Sequence, residues 1–123
     1  MTLQDNLFTI VGREEGQPVF QIRINKDWPI YKAHFPGHPI TPGVCIVQMI
    51  QELLQVWLSR EVNLIKAKNV KYLAIISPEE VCELSVSFTS IEEQPDGSLK
   101  VHAQVTGNET VYTKLSASFT LLS

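Results

Sequence analysis

Apolar and polar residues alternate with period two along most of this chain, and one central stretch breaks the pattern. Residues 7–11 read as a first strand, followed by a turn over Glu14, Glu15, Gly16, Gln17 and Pro18. Phe20, Ile22 and Ile24 then alternate with Gln21, Arg23 and Asn25, the period of a half-buried strand. Val70, Tyr72, Ala74 and Ile76 alternate in the same way, up to a break at Ser77, Pro78, Glu79 and Glu80. Cys82, Leu84, Val86 and Phe88 mark the next strand, Leu99, Val101, Ala103 and Val105 another. Val111, Thr113, Leu115, Ala117, Phe119 and Leu121 share one face of the last. Short turns at 95–98 and 107–109 make these last strands an antiparallel meander.

The exception to the alternation starts at Gly43 or Val44 and runs to about Ser59. Gln48, Gln51, Glu52, Gln55 and Ser59 fall on one stripe of a helix, and the remaining positions are apolar. A helix this apolar must be buried on most of its sides. One long buried helix with five or six antiparallel strands predicts an α+β fold, and the simplest burial wraps the sheet around the helix. Just before the helix, residues 28–43 hold four prolines (Pro29, Pro36, Pro39 and Pro42) and two glycines (Gly37 and Gly43), which predicts an irregular, stiff loop.

Composition narrows the function. A chain of 123 residues, 44% hydrophobic, fits a single domain, residues 1–123, with a core that needs no staples. A formal net charge of -3 argues against a general nucleic-acid binder, which needs a basic face to meet phosphates. Cys45 and Cys82 form no disulfide framework and no metal-ligand spacing, so both are expected as small buried hydrophobes and no metal or other cofactor is implied. The N-terminal residues lack the basic start of a signal peptide, and the apolar stretch 44–58 is shorter than the ~20 residues of a membrane span. A cytoplasmic protein without a membrane span is the expectation.

The most specific segment is His34-Phe35-Pro36-Gly37-His38-Pro39-Ile40-Thr41-Pro42-Gly43-Val44. It sets a histidine on a proline-stiffened loop directly before a helix. Gly43 can bring a bare backbone N–H close to a ligand, and the first helical amides lack intrahelical partners and carry the positive end of the dipole. A carbonyl oxygen gaining negative charge would be stabilised there. A rigid loop with an ordinary helix start is the plainer reading of the same residues.

This run resembles the His-Phe-Pro-Gly-x-Pro-x-x-Pro-Gly-Val motif of 3-hydroxyacyl-[acyl-carrier-protein] dehydratases. The resemblance continues through Ile46 and Val47, and more loosely through Lys71, Tyr72, Pro78 and Glu79 into the meander. It implies the hotdog fold, an antiparallel sheet around one long helix, and agrees with the pattern above. It further implies that His34 takes the proton from C2 of a 3-hydroxyacyl thioester, and that the N–H of Gly43 holds the thioester carbonyl. Phe35, Pro42 and Val44 would complete the substrate site. The substrate would arrive on an acyl carrier protein, and the site would be shared across a homodimer or higher homo-oligomer. The family's acidic residue on the helix corresponds here to Gln48, and an amide cannot give a proton to a departing hydroxyl. Glu52 lies one turn further on. Three readings follow: a dehydratase with altered machinery, a hotdog thioesterase in which Gln48 positions water, or a non-catalytic acyl-thioester-binding subunit. Thr41 and Cys45 replace larger apolar residues of the family, and no counterpart of the family's N-terminal leader is expected.

His38 matches a variable family position, and His102 alternates outward with Lys100 and is expected in solvent. Arg60, Lys66, Lys68 and Lys71 cluster. They read either as a solvated loop and strand edge or as a docking patch for the acidic carrier protein.

Overall fold

The computed structural model describes residues 2–33 and 37–122. Its elements are β1 (Phe8–Arg13), β2 (Val19–Ile24), α1 (Pro29–Ala33), α2 (Gly43–Leu58), β3 (Val62–Tyr72), β4 (Glu83–Glu93), β5 (Leu99–Gly107) and β6 (Thr110–Leu121). The strands form a six-stranded sheet in the order β1-β2-β4-β5-β6-β3, antiparallel throughout.

The alternation read from the sequence sets the two faces of this sheet. Leu84, Val86 and Phe88 on β4, Val101, Ala103 and Val105 on β5, and Leu115, Ala117 and Phe119 on β6 all turn inward and are buried. Against them lie Ile46, Met49, Ile50, Leu53 and Leu54 of α2, also buried. Phe20 of β2 meets Phe88 edge-on, with ring centroids 6.4 Å apart, an arrangement that the aromatic quadrupoles favour.

Three of the polar residues on α2 clamp the helix to backbone elsewhere. Gln51 Nε2 donates to the carbonyl of Val62 (2.9 Å), and Gln55 Oε1 accepts from the amide of the same residue (3.0 Å), so the first residue of β3 is pinned to the helix. Glu52, only 6% exposed, accepts from the amides of Leu3 and Gln4 and holds the N-terminal segment on the helix. The middle of the polar stripe is therefore bonded to backbone, while Ser59 at its end is exposed.

Several expectations need correction. The stiff loop over 28–43 contains α1, whose Trp28 and Tyr31 flank is buried and packed edge-on (5.8 Å). The strand expected over 70–76 instead occupies Val62–Tyr72, and the residues after Tyr72 leave the sheet. Its true extent escaped the periodicity because two bulges, between Leu64 and Lys66 and between Ala67 and Asn69, shift the face on which successive residues fall. Cys82 is exposed and Cys45 half-buried, against the expectation that both are buried, because each sits at an element boundary rather than mid-element. The helix is also more open than its composition suggests: Val44 is 78% exposed. Among the described residues no helix is long and apolar enough to cross a membrane.

Candidate active site

The site is built around the loop that joins α1 to α2. Both flanks of that loop are tied together. Tyr31 in α1 and Thr41 before α2 share a hydrogen bond between their hydroxyls at 2.8 Å, and the amide of Thr41 donates to the carbonyl of Ile76 at 2.9 Å. Burial pushes the Tyr31 phenol above its usual range, with the Thr41 hydrogen bond opposing. Gly37 adopts φ +90°, a conformation that a residue with a Cβ enters only at a cost, so the Pro-Gly step of the motif has a backbone reason. His34, Phe35 and Pro36 lie outside the described residues. A cleft lined by Lys26, Tyr31, Lys32, Gly37 and Cys82 opens beside the loop.

The expected substrate-binding residues Pro42, Gly43 and Val44 form the start of α2. Pro42 is extended (φ −62°, ψ 144°), and no side chain caps the helix. The amides of Cys45 and Ile46 turn back to the Pro42 carbonyl. The earlier amides, those of Gly43 and Val44, are the ones a helix leaves without intrahelical partners. Tyr72, at the end of β3, covers Gly43: a Cβ placed there would lie 2.7 Å from Tyr72 Cζ and from its hydroxyl oxygen. Any side chain at position 43 would have to displace the Tyr72 ring. Tyr72 is itself half-exposed, and Val44 projects beside it into solvent.

Gln48 lies one turn before Glu52 and donates Nε2–H to Glu52 Oε2 at 3.0 Å. The Glu52 carboxylate also takes Leu3 N–H (3.0 and 2.8 Å to its two oxygens) and Gln4 N–H (2.8 Å). This fixes which way the amide points. A carboxylate surrounded by donors only accepts, so Nε2 of Gln48 must face it and Oε1 must face away. Gln48 is half-buried at the wall of a cleft of about 450 Å³ that Gln4, Gln55, Arg60 and Glu61 also line. Glu52 is thereby committed to the N-terminal segment, one turn beyond Gln48 and about two and a half turns from the motif end of the helix.

Some residues near this end were not singled out by sequence reasoning. Thr113 was read only as a member of an alternating strand, and Tyr72 as that and as part of the looser family resemblance, with no role at the site. They are opposite each other in the β3–β6 register. The Thr113 hydroxyl is buried and finds no hydrogen-bond partner among the described residues. Only the pairing of a distant strand with the helix start brings them to the site, and no local pattern signals that. The Cys45 thiol next to Val44 is pushed up by burial, so it is not a ready thiolate.

A single long helix packed on an antiparallel sheet, with a Pro-Gly-rich loop feeding its uncapped N-terminus, defines a hotdog protein. The comparisons with known proteins agree. The sequence profile of the ApeI-like family, described as ApeI dehydratase, matches residues 11–113, and the chain belongs to that family. The chain is 27% identical over 94 residues to the 3-hydroxyacyl-[acyl-carrier-protein] dehydratase FabZ of Clostridium acetobutylicum, a stretch covering 71% of this chain and 66% of that protein. Its fold is similar to that of the dehydratase heterocomplex ApeI:P from Xenorhabdus doucetiae, with a TM-score of 0.65, 15% identity, and coverage of 91% of this chain and 96% of the other. It is also similar to a protein of the thioesterase superfamily, with a TM-score of 0.63, 14% identity, and coverage of 94% and 84%.

Proposed function

We propose that this protein dehydrates a 3-hydroxyacyl thioester, carried on an acyl carrier protein, to the trans-2-enoyl thioester. The observation that carries this reading is the uncapped start of α2 at Gly43, set at the end of the dehydratase motif in a chain of a dehydratase family. In this reading His34 removes the C2 proton. The electron pair moves toward the thioester carbonyl, where the Gly43 N–H and the helix dipole meet the developing charge. The bond from C3 to the hydroxyl then breaks. One Nε2–H of Gln48 is engaged by Glu52, which leaves its Oε1 and its second N–H to hold a substrate group. The amide can bond to the 3-hydroxyl or to a water and hold it in place, but it has no acidic proton to give. The proton that leaves with the hydroxyl as water is therefore the one His34 took, returned by its imidazolium. Phe35, Pro42 and Val44 would border the acyl chain.

The site is completed by a second copy, with His34 of one protomer facing Gln48 of the partner subunit. Support comes from β3. It ends the sheet with an unpaired edge of 11 residues and exposes Leu64, Ile65 and Tyr72, which is the kind of edge that natural proteins cover. A cytoplasmic homodimer burying well over ~1,000 Å² is the assembly this reading requires. Light scattering at micromolar concentration checks it, and a monomer contradicts it.

A thioesterase is the second reading, supported by the likeness to a thioesterase-superfamily structure and by an acceptor oxygen on Gln48 suited to orienting water. One assay separates the two. Incubation of a 3-hydroxyacyl thioester with wild-type protein and with His34→Ala should give enoyl thioester that depends on His34, and no free thiol. Release of free thiol supports the thioesterase. A thioester left unchanged by wild-type protein leaves only binding.

A further inference from the structure

The outer face of β3, β6 and β5 carries Lys66, Lys68, Lys71, Lys100 and Lys114, half of the ten basic residues in a chain of net charge -3. The register places them together. Lys66 and Lys100 both lie opposite Ser118, and Lys71 lies directly opposite Lys114. Lys114 sits between buried Thr113 and Leu115, and Lys100 between buried Leu99 and Val101, so both side chains turn outward. Lys68, the extra residue of the second β3 bulge, borders a hollow with Lys100 and Ser118. The outward strand positions of β3, β5 and β6 hold no Asp or Glu. Glu92, opposite Lys100, and Asp96 border only the end of the patch distant from Lys71. Arg60, which the sequence grouped with these lysines, lines the Gln48 cleft instead.

The Lys71 end is the unbalanced one. Like charges directly opposite each other on adjacent strands repel. Among the described residues neither lysine has a carboxylate partner. Together with His102 and Asn69 they line a hollow of about 280 Å³. Lys71 is also the immediate neighbour of Tyr72, the residue that covers Gly43. The two side chains point to opposite faces of this edge strand, so a protein seated on this end of the outer face would lie at the sheet edge whose inner side meets the start of α2.

We propose that this lysine face, centred on Lys71 and Lys114, is the docking surface for the acidic face of the acyl carrier protein. The proposal rests on the dehydratase reading for the partner's identity. Charge complementarity is its physical basis. An acidic partner relieves the Lys71–Lys114 repulsion and is steered toward the thioester-binding end of the helix.

The test compares wild type with Lys71→Glu/Lys114→Glu on one 3-hydroxyacyl group presented two ways, on the carrier protein and on N-acetylcysteamine. The variant should lose about tenfold or more in kcat/KM on the carrier-bound substrate at low salt, the loss should shrink at high salt, and the small thioester should react at the wild-type rate. Equal kinetics on the carrier-bound substrate, or an equal loss on both substrates, overturns the docking surface. If wild type turns over neither thioester, the dehydratase reading fails on its own, and titration of the carrier protein decides the docking. A Kd weakened about tenfold or more in the variant supports it. An unchanged Kd, or a loss of binding seen only with phosphatidylglycerol vesicles, overturns it.

Discussion

Gln48 donates its amide N–H to Glu52 Oε2 at 3.0 Å, on a carboxylate that also holds the backbone of Leu3 and Gln4. One buried side chain therefore does two things: it closes the N-terminal segment onto α2 and sets which end of Gln48 faces the proposed substrate.

Replacing Glu52 should reveal both. Glu52→Gln keeps the shape but puts an NH2 group in place of one acceptor oxygen, so it faces the Leu3 N–H and the Gln48 NH2, or the Leu3 and Gln4 N–H groups, as a donor. The expected cost is roughly 1–3 kcal/mol in chemical denaturation, the range for leaving a buried polar group unsatisfied. Hydrogen exchange should speed up at the Leu3 and Gln4 amides before it does in the sheet. Unchanged exchange at both amides would show that the clamp is not formed in solution.

The same contact shapes what a carboxyl at position 48 would do. Gln48→Ala should cost about tenfold or less in rate, since a neutral hydrogen bond is worth ~0.5–1.5 kcal/mol. Gln48→Glu places a second carboxyl beside Glu52. Like charges so close share a proton, and the pair titrates with its upper apparent pKa raised. The shared proton supplies the missing acid, so the rate should rise, and the gain should be present below the raised pKa and fade as pH climbs through it. Adding Glu52→Gln removes the neighbouring charge and should shift that limb to lower pH. A Gln48→Glu protein as slow as Gln48→Ala would favour a different reaction.

Gly43→Ala tests the helix start. The new methyl group would meet the Tyr72 ring at 2.7 Å. Tyr72 is half-exposed and can swing aside, and alanine is the better helix former by ~1 kcal/mol, so the melting temperature should move little. The backbone N–H remains, but the methyl group bars the thioester carbonyl from it, so kcat/KM should nevertheless fall, by up to the ~10²–10³ of a lost oxyanion donor. Adding Tyr72→Ala relieves the ring contact but leaves the methyl group in place, so activity should stay low. Full recovery in the double variant would assign the loss to Tyr72 instead.

Tyr31 predicts the alkaline behaviour. Its phenol is held above its usual 10.0 by burial, and Cys45 is raised for the same reason. For a group raised in the folded state, the unfolded chain gives up its proton first. The stabilisation is complete below the unfolded pKa and is lost as pH rises through the folded one. Urea unfolding should show stability falling above about pH 10. Tyr31→Phe should be less stable at neutral pH, for want of the Thr41 hydrogen bond, yet show a shallower alkaline fall. Parallel curves would exclude Tyr31 as a contributor.

The period-two alternation by itself determined β2, β4, β5 and β6 closely, because a strand with one buried face must repeat every second residue. The apolar run with one polar stripe determined α2, and the Pro-Gly motif marked the loop before it as the candidate site. Tertiary structure decided the rest. Whether Gln51, Glu52 and Gln55 faced water or backbone depended on Val62, Leu3 and Gln4, which are remote in sequence. The true β3 was hidden because an edge strand is exposed on both faces and bulged, so it carries no regular period. Lys71 and Lys114 became neighbours only through the β3–β6 register, since which residues of two strands face each other is set by pairing and not by either strand alone.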